Sequence, residues 1–117
     1  MRILGDGPPV LLVHGISADH SEWIRVAEGL AGDHRVIVPD LLGRGASRPY
    51  ADADFSLAAE TDRLVAIVEA VGVERPLVGG HSAGASLALS LARRIPVAGL
   101  LLVSPVTPWT PRPRILD

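Results

Sequence analysis

The sequence predicts an α/β fold, a partial, doubly wound parallel sheet of about four strands with three helices in a three-layer sandwich. Short runs of leucine and β-branched residues alternate with longer segments that have helical periodicity. Each run is almost wholly apolar, which is typical of strands covered on both faces. Alternating strands and helices indicate β-α-β units and therefore a parallel sheet.

The four apolar runs are the expected strands, and the segments between them are the expected helices. The strands are Val10–Val13, Val36–Val38, Leu77–Val78 and Leu100–Val103. In the first helix the apolar positions are Trp23, Val26, Ala27 and Leu30. In the second helix the inward positions are Leu57, Thr61, Leu64, Val65, Val68 and Val71, with Ser56 as N-cap and Gly72 after the end. The third helix is expected from about Ala83 to Arg94, with Leu87, Ala88 and Leu91 facing the core and Pro96 ending it.

Composition divides the chain into one core and a tail. Residues 1–106 are expected to form a partial domain core, because 117 residues suffice for one domain. Residues 107–117 are rich in proline and predict an extended linker rather than another element, so that the chain looks interrupted after a wholly apolar strand. A truncated fold is therefore expected.

Charge and residue usage exclude several classes of function. The net charge of −2 is spread without a basic stripe, so nucleic acid and anionic membranes are not expected as partners. All basic residues are arginine, which excludes a lysine base, and cysteine is absent, which excludes thiolate chemistry. We expect no cofactor and no metal, because no cluster has ligand spacing in sequence. Without a signal peptide or membrane span, the expected location is cytoplasmic.

The segment after the third strand has the pattern G-x-S-x-G, formed by Gly80, His81, Ser82, Ala83 and Gly84. A nucleophile that stands above a sheet edge needs a very sharp turn, which strains the serine and leaves room only for glycine on either side. The pattern alone is weak, but here a strand precedes it and a helix follows. The sequence therefore predicts Ser82 as a nucleophile; a glycine-rich turn with an incidental serine is the alternative.

A second glycine-bearing turn, His14-Gly15-Ile16, follows the first strand directly. In a doubly wound sheet, ligands bind at the carboxyl ends of the strands. The backbone amides of Ile16 and Ala83 are therefore the candidate oxyanion hole, with His14 and Gly15 as the supporting loop. A simple connecting loop is the alternative.

Taken together, His14-Gly15, the segment 40–47 (DLLGRGAS) and the elbow 80–84 resemble the α/β-hydrolase superfamily over nearly the whole chain to about Val106. The resemblance is to the esterase and peptidase-like branch with an HG-x oxyanion loop. It implies a serine hydrolase acting on a carboxylic ester or a related small acyl substrate. Serine at position 82 differs from the dehalogenases and epoxide hydrolases, which carry aspartate there.

The resemblance also implies that an acid and then a histidine follow the nucleophile in sequence. Downstream of Ser82 there is no histidine, and Asp117 is the only acidic residue. The acid, the base and the family's cap segment are thus expected outside this chain, with the linker 107–117 leading toward the missing cap. The isolated chain is expected to be inactive. His81 adjoins Ser82 and should point away from it, and His14 is a weak stand-in for the base. Asp40 is expected to cap a turn.

Two other classes of function remain open. The chain could be a non-catalytic module or fragment that binds a complementary chain, or a second copy, across open sheet edges at the strands of Val36 and Leu100. It could also be a non-hydrolytic member of the superfamily, a lyase or a cofactor-independent oxygenase, because fold does not fix function. A continuation with an acid and a histidine would favour the hydrolase.

Overall fold

A computed structural model describes residues 1–15, 18–41 and 56–105. The strands are β1 (Arg2–Leu4), β2 (Pro9–Val13), β3 (Arg35–Val38), β4 (Leu77–His81) and β5 (Gly99–Val103). The helices are α1 (Ile24–Leu30), preceded by a 3-10 turn at His20–Trp23, α2 (Leu57–Val71) and α3 (Ala83–Ala92). The predicted linker at 107–117 lies outside the described residues and stays a prediction.

The five strands form one sheet in the order β1-β3-β2-β4-β5. Strands β2 to β5 are parallel, which confirms the predicted doubly wound core of four strands with three helices. Strand β1 is an addition, antiparallel to β3 with Arg2 opposite Val38. The expectation that the strand of Val36 has an open edge is therefore wrong. Three residues were too short a run to show strand periodicity in the sequence.

The sheet separates two apolar layers, because successive side chains of a strand point to opposite faces. One layer packs β-strand residues against α2 and α3, and includes Leu11, Val13, Ile37, Leu64, Val68, Leu87 and Leu91. The other packs against α1 and includes Val10, Leu12, Trp23, Ala27, Val36 and Val38. The indole Nε1 of Trp23 donates to the carbonyl of Val13 at 3.0 Å, which anchors α1 to the end of β2.

The ends of α2 are where the sequence placed them. The Ser56 hydroxyl accepts from the amide of Ala59 at 3.1 Å, and Gly72 follows the helix at φ 77°. This left-handed conformation at the helix end is the one that glycine adopts without strain. In α3 the three residues expected to face the core are all buried: Leu87, Ala88 and Leu91.

Two predictions of burial are wrong. Val26 is 43% exposed, although Trp23 and Ala27 of the same predicted face are buried, so the short helix buries a narrower stripe than predicted. On β5, Leu100, Leu101 and Val103 are exposed, although the wholly apolar run predicted a strand covered on both faces. In the described part of the chain, no helix is long and apolar enough to cross a membrane.

Candidate active site at the carboxyl ends of the strands

Ser82 is the single residue between strand β4 and helix α3. Its backbone has φ 56° and ψ −120°, a combination that residues with a Cβ rarely adopt. The turn is held from both sides, since the Ser82 amide donates to the carbonyl of Val103 and its carbonyl accepts from Ala85. The side chain is half-buried and caps no helix amide, so the hydroxyl is not used in building the turn.

The glycines on either side of the serine lie against backbone. A Cβ on Gly80 would be 2.2 Å from the carbonyl oxygen of Gly84. A Cβ on Gly84 would be 2.2 Å from the carbonyl oxygen of Val13, at the end of β2. Neither oxygen belongs to a flexible side chain that could move aside. The tight turn and the packing of α3 against β2 therefore both require glycine.

His14, directly after β2, is fully buried and has both ring nitrogens engaged. Its Nε2 accepts from the amide of Leu41 at 2.9 Å. The proton of a neutral ring must then lie on Nδ1, which donates to the carbonyl of Gly15 at 2.6 Å. The suggestion that His14 could stand in as the base is therefore wrong, because no nitrogen is left to accept a proton from Ser82.

Glu22 joins the loop after β2 to the elbow, a role that sequence reasoning missed. One carboxylate oxygen accepts from the amide of Gly15 at 2.9 Å, and the other pairs with Nδ1 of His81 at 2.7 Å. His81 thus packs beside the turn, as expected of it. No spacing or motif distinguishes Glu22 from the other acidic residues, because its contacts depend on the path of the chain between β2 and α1.

Asp40, at the end of β3, is a fully buried carboxylate with several partners. It accepts from the backbone amide and pairs with the ring Nδ1 of His20, and it faces the N-terminal ammonium of Met1 at 3.3 Å. Its role as a capping carboxylate is consistent with these contacts.

Asp19, His20 and Asp40 lie close enough to hold a cation, a grouping that the sequence spacing did not show. Asp19, however, accepts hydrogen bonds from the hydroxyl and the amide of Ser21, which lower its pKa from the ordinary 3.8. The carboxylates are therefore already used by protein donors.

No histidine ring nitrogen within the described ranges hydrogen-bonds the Ser82 hydroxyl. The two histidines outside the elbow and the loop after β2 pair with aspartates, His20 with Asp40 and His34 with Asp33. The predicted oxyanion donor Ile16 lies outside the described residues. Ala83 begins α3, and an α-helix has no internal acceptor for the amides of its first turn. The site thus presents a serine and a free helix end.

Comparison with known proteins agrees with the fold. The profile of the family described as "alpha/beta hydrolase fold" matches residues 8–115. Lipase 1 of Psychrobacter immobilis is 36% identical over 107 residues, which are 89% of this chain and 33% of the lipase. The magnesium-chelatase 30 kDa subunit of Rhodobacter capsulatus is 41% identical over 92 residues, 79% of this chain and 32% of that subunit.

Among solved structures, a thermophilic esterase from Thermogutta terrifontis superimposes with a TM-score of 0.83 at 35% identity. The match covers 91% of this chain and 40% of the esterase. The chain spans about a third of the length of the curated relatives it matches.

Proposed function

Because the chain belongs to the alpha/beta hydrolase fold family, we propose that it supplies the nucleophile of a serine hydrolase for carboxylic esters or related acyl substrates. The observation that carries the proposal is the backbone of Ser82, at φ 56° and ψ −120° between a strand and a helix. Strain of this kind costs about 1–3 kcal/mol and persists where function requires it. The lipase and esterase among the relatives support the same class of reaction.

In the proposed reaction the Ser82 oxygen attacks the acyl carbon, and a general base takes the hydroxyl proton. The amides of Ala83 and Ile16 stabilise the negative charge that develops on the carbonyl oxygen. Collapse of the tetrahedral intermediate expels the alcohol, which receives the proton, and leaves an ester on Ser82. Water then attacks this ester with the same base, releasing the acid and restoring the serine.

The base and its acid are proposed to come from polypeptide outside these 117 residues. Two observations support this. His14 has both ring nitrogens engaged inside the fold, and no other histidine within the described residues hydrogen-bonds the Ser82 hydroxyl. The matched relatives are also about three times longer than the matched segment.

The test is Ser82→Ala in the natural polypeptide that contains these residues, assayed on p-nitrophenyl butyrate. We expect kcat to fall by about 10⁴-fold or more, because nucleophile and base act as a unit. Ser104→Ala is the matched control, since Ser104 is an exposed serine with positive φ at the carboxyl end of the neighbouring strand. Hydrolysis that survives Ser82→Ala and disappears with Ser104→Ala would reassign the nucleophile.

A non-catalytic role in binding another chain is the second candidate, and it is motivated by a relative that is named as a subunit, the magnesium-chelatase 30 kDa subunit. A chain of this kind would use the scaffold to bind another polypeptide, for which the exposed leucines and valine of β5 offer a surface. On this alternative, the natural polypeptide would show no ester hydrolysis above that of its Ser82→Ala variant.

A further inference from the structure

We propose that Glu22 is a positioning residue, which holds the loop after β2 in register with the nucleophile elbow. The inference rests on the proposed hydrolase function and adds a residue to it. Its carboxylate makes two contacts at once, with the Gly15 amide at 2.9 Å and with His81 Nδ1 at 2.7 Å. Gly15 and His81 are 66 positions apart in sequence, and the carboxylate joins them just beyond the last paired residues of β2 and β4, Val13 and Gly80.

The Gly15 peptide is held on both sides. Its amide donates to Glu22, while its carbonyl accepts from His14 Nδ1 at 2.6 Å and from the Ala18 amide at 3.1 Å. These contacts therefore fix the loop after β2 as far as Gly15, beside the elbow.

The loop has little space in which to shift. A Cβ on Gly15 would lie 3.4 Å from His81 Nδ1 and 3.5 Å from Ser82 Cβ, so the loop packs directly on the elbow. The Gly15 amide is occupied by Glu22 and cannot serve the oxyanion itself. An unpaired carboxylate near a developing oxyanion would destabilise its negative charge. The contacts of Glu22 with His81 and with the Gly15 amide compensate the charge of its carboxylate.

The kinetic test uses Glu22→Ala in the natural polypeptide that contains the chain, with p-nitrophenyl butyrate as substrate. We expect kcat to fall by about 10- to 100-fold with KM changed by less than about 3-fold, because misplaced catalytic groups reduce the rate more than ground-state binding. Glu22→Gln should recover kcat to within about 5-fold of wild type, since its oxygen accepts from Gly15 and its NH₂ can donate to His81. Glu28→Ala removes an exposed carboxylate from α1 and should change neither constant.

A second readout does not depend on activity. Hydrogen exchange of the Gly15 amide should be slow in the wild type, accelerate at least about 10-fold in Glu22→Ala, and stay slow in Glu28→Ala. If Glu22→Ala does not fold, Glu22→Gln is compared with Glu22→Asp, whose shorter side chain cannot span both contacts. We then expect a lower kcat for the aspartate variant and a kcat close to that of the wild type for the glutamine variant.

Unchanged Gly15 exchange in a folded Glu22→Ala protein would overturn the proposal, as would unchanged kcat or an aspartate variant as active as wild type. Failure of the hydrolase proposal has a different signature. In that case Ser82→Ala leaves hydrolysis unchanged, while Gly15 exchange still decides whether Glu22 holds the loop.

Discussion

The centre of the sheet and its β5 edge differ in how much change they can accommodate. At the centre, a Cβ on Gly84 would meet the carbonyl of Val13 at 2.2 Å, whereas on Gly99 of β5 the nearest neighbour is a leucine methyl group 4.0 Å away. Leu11 of β2 is fully buried, but Leu101 of β5 is 50% exposed. The proposed chemistry thus lies where backbone segments touch, and the room for another polypeptide lies at the edge.

This difference separates two kinds of requirement on the sequence. Around Ser82 the requirement is steric and local, and a single methyl group would displace backbone. Along β5 the requirement is only that the side chains be apolar and compatible with a strand. Substitutions should therefore have large effects at the elbow and small effects at the edge.

The largest effect on stability is expected for Gly84→Val, which should destabilise the fold by about 2 kcal/mol or more and remove hydrolysis by the natural polypeptide. Gly80→Val should behave similarly, because its Cβ would meet the Gly84 carbonyl. Gly99→Val is the matched control on β5, and its stability should stay within about 0.5 kcal/mol of wild type or rise, since valine favours strands. Urea unfolding measures the free energy of unfolding of all three variants. A Gly84→Val protein as stable as Gly99→Val would contradict the assignment of a tight elbow at Gly80–Gly84.

A smaller effect is expected at the serine itself. Glycine adopts φ 56° without the penalty that a Cβ imposes, so Ser82→Gly should be more stable than Ser82→Ala by about 1 kcal/mol. Both variants lack the hydroxyl and should be equally inactive. Thermal unfolding of the pair provides the measurement, and equal stabilities would mean that the backbone at position 82 is not strained.

The smallest effect on stability is expected at the open edge. Leu101→Glu should change the free energy of unfolding by no more than about 0.5 kcal/mol, because the side chain is already half in solvent. It should nevertheless reduce self-association of the 117-residue chain, since a charge on an edge strand opposes pairing with another copy. Sedimentation velocity of wild type and variant tests this, and an unchanged distribution of species would show that β5 is not the contact.

The central strands and the helices were predicted well, because the spacing of apolar residues indicates which side chains are buried. Ser56 and Gly72 fixed the ends of α2, since N-cap and left-handed positions have strong residue preferences. Strand β1 was missed because Arg2–Leu4 is too short to show strand periodicity. The burial of β5 was predicted wrongly, because an apolar run does not indicate whether another element packs on the strand.

At the site, the difference between local and long-range signals is sharper. The Gly80–Gly84 elbow was predictable because the motif is local, and its crowding follows from one turn. Glu22 was not predictable, because its contacts with Gly15 and His81 depend on how three segments meet in space. The sequence indicated a structural role for His14, but it is the hydrogen bond from the Leu41 amide to its Nε2 that excludes His14 as a base.

The central claim is that this chain holds the nucleophile but not its base, and labelling with a fluorophosphonate tests it most directly. Intact-mass measurement should show slow or no labelling of the isolated 117-residue chain. A polypeptide that adds the acid and the histidine should be labelled rapidly and stoichiometrically, with the label lost in Ser82→Ala. Rapid, stoichiometric labelling of Ser82 in the isolated, monodisperse chain would contradict the account, and His81 with its partner Glu22 would be the first base to test.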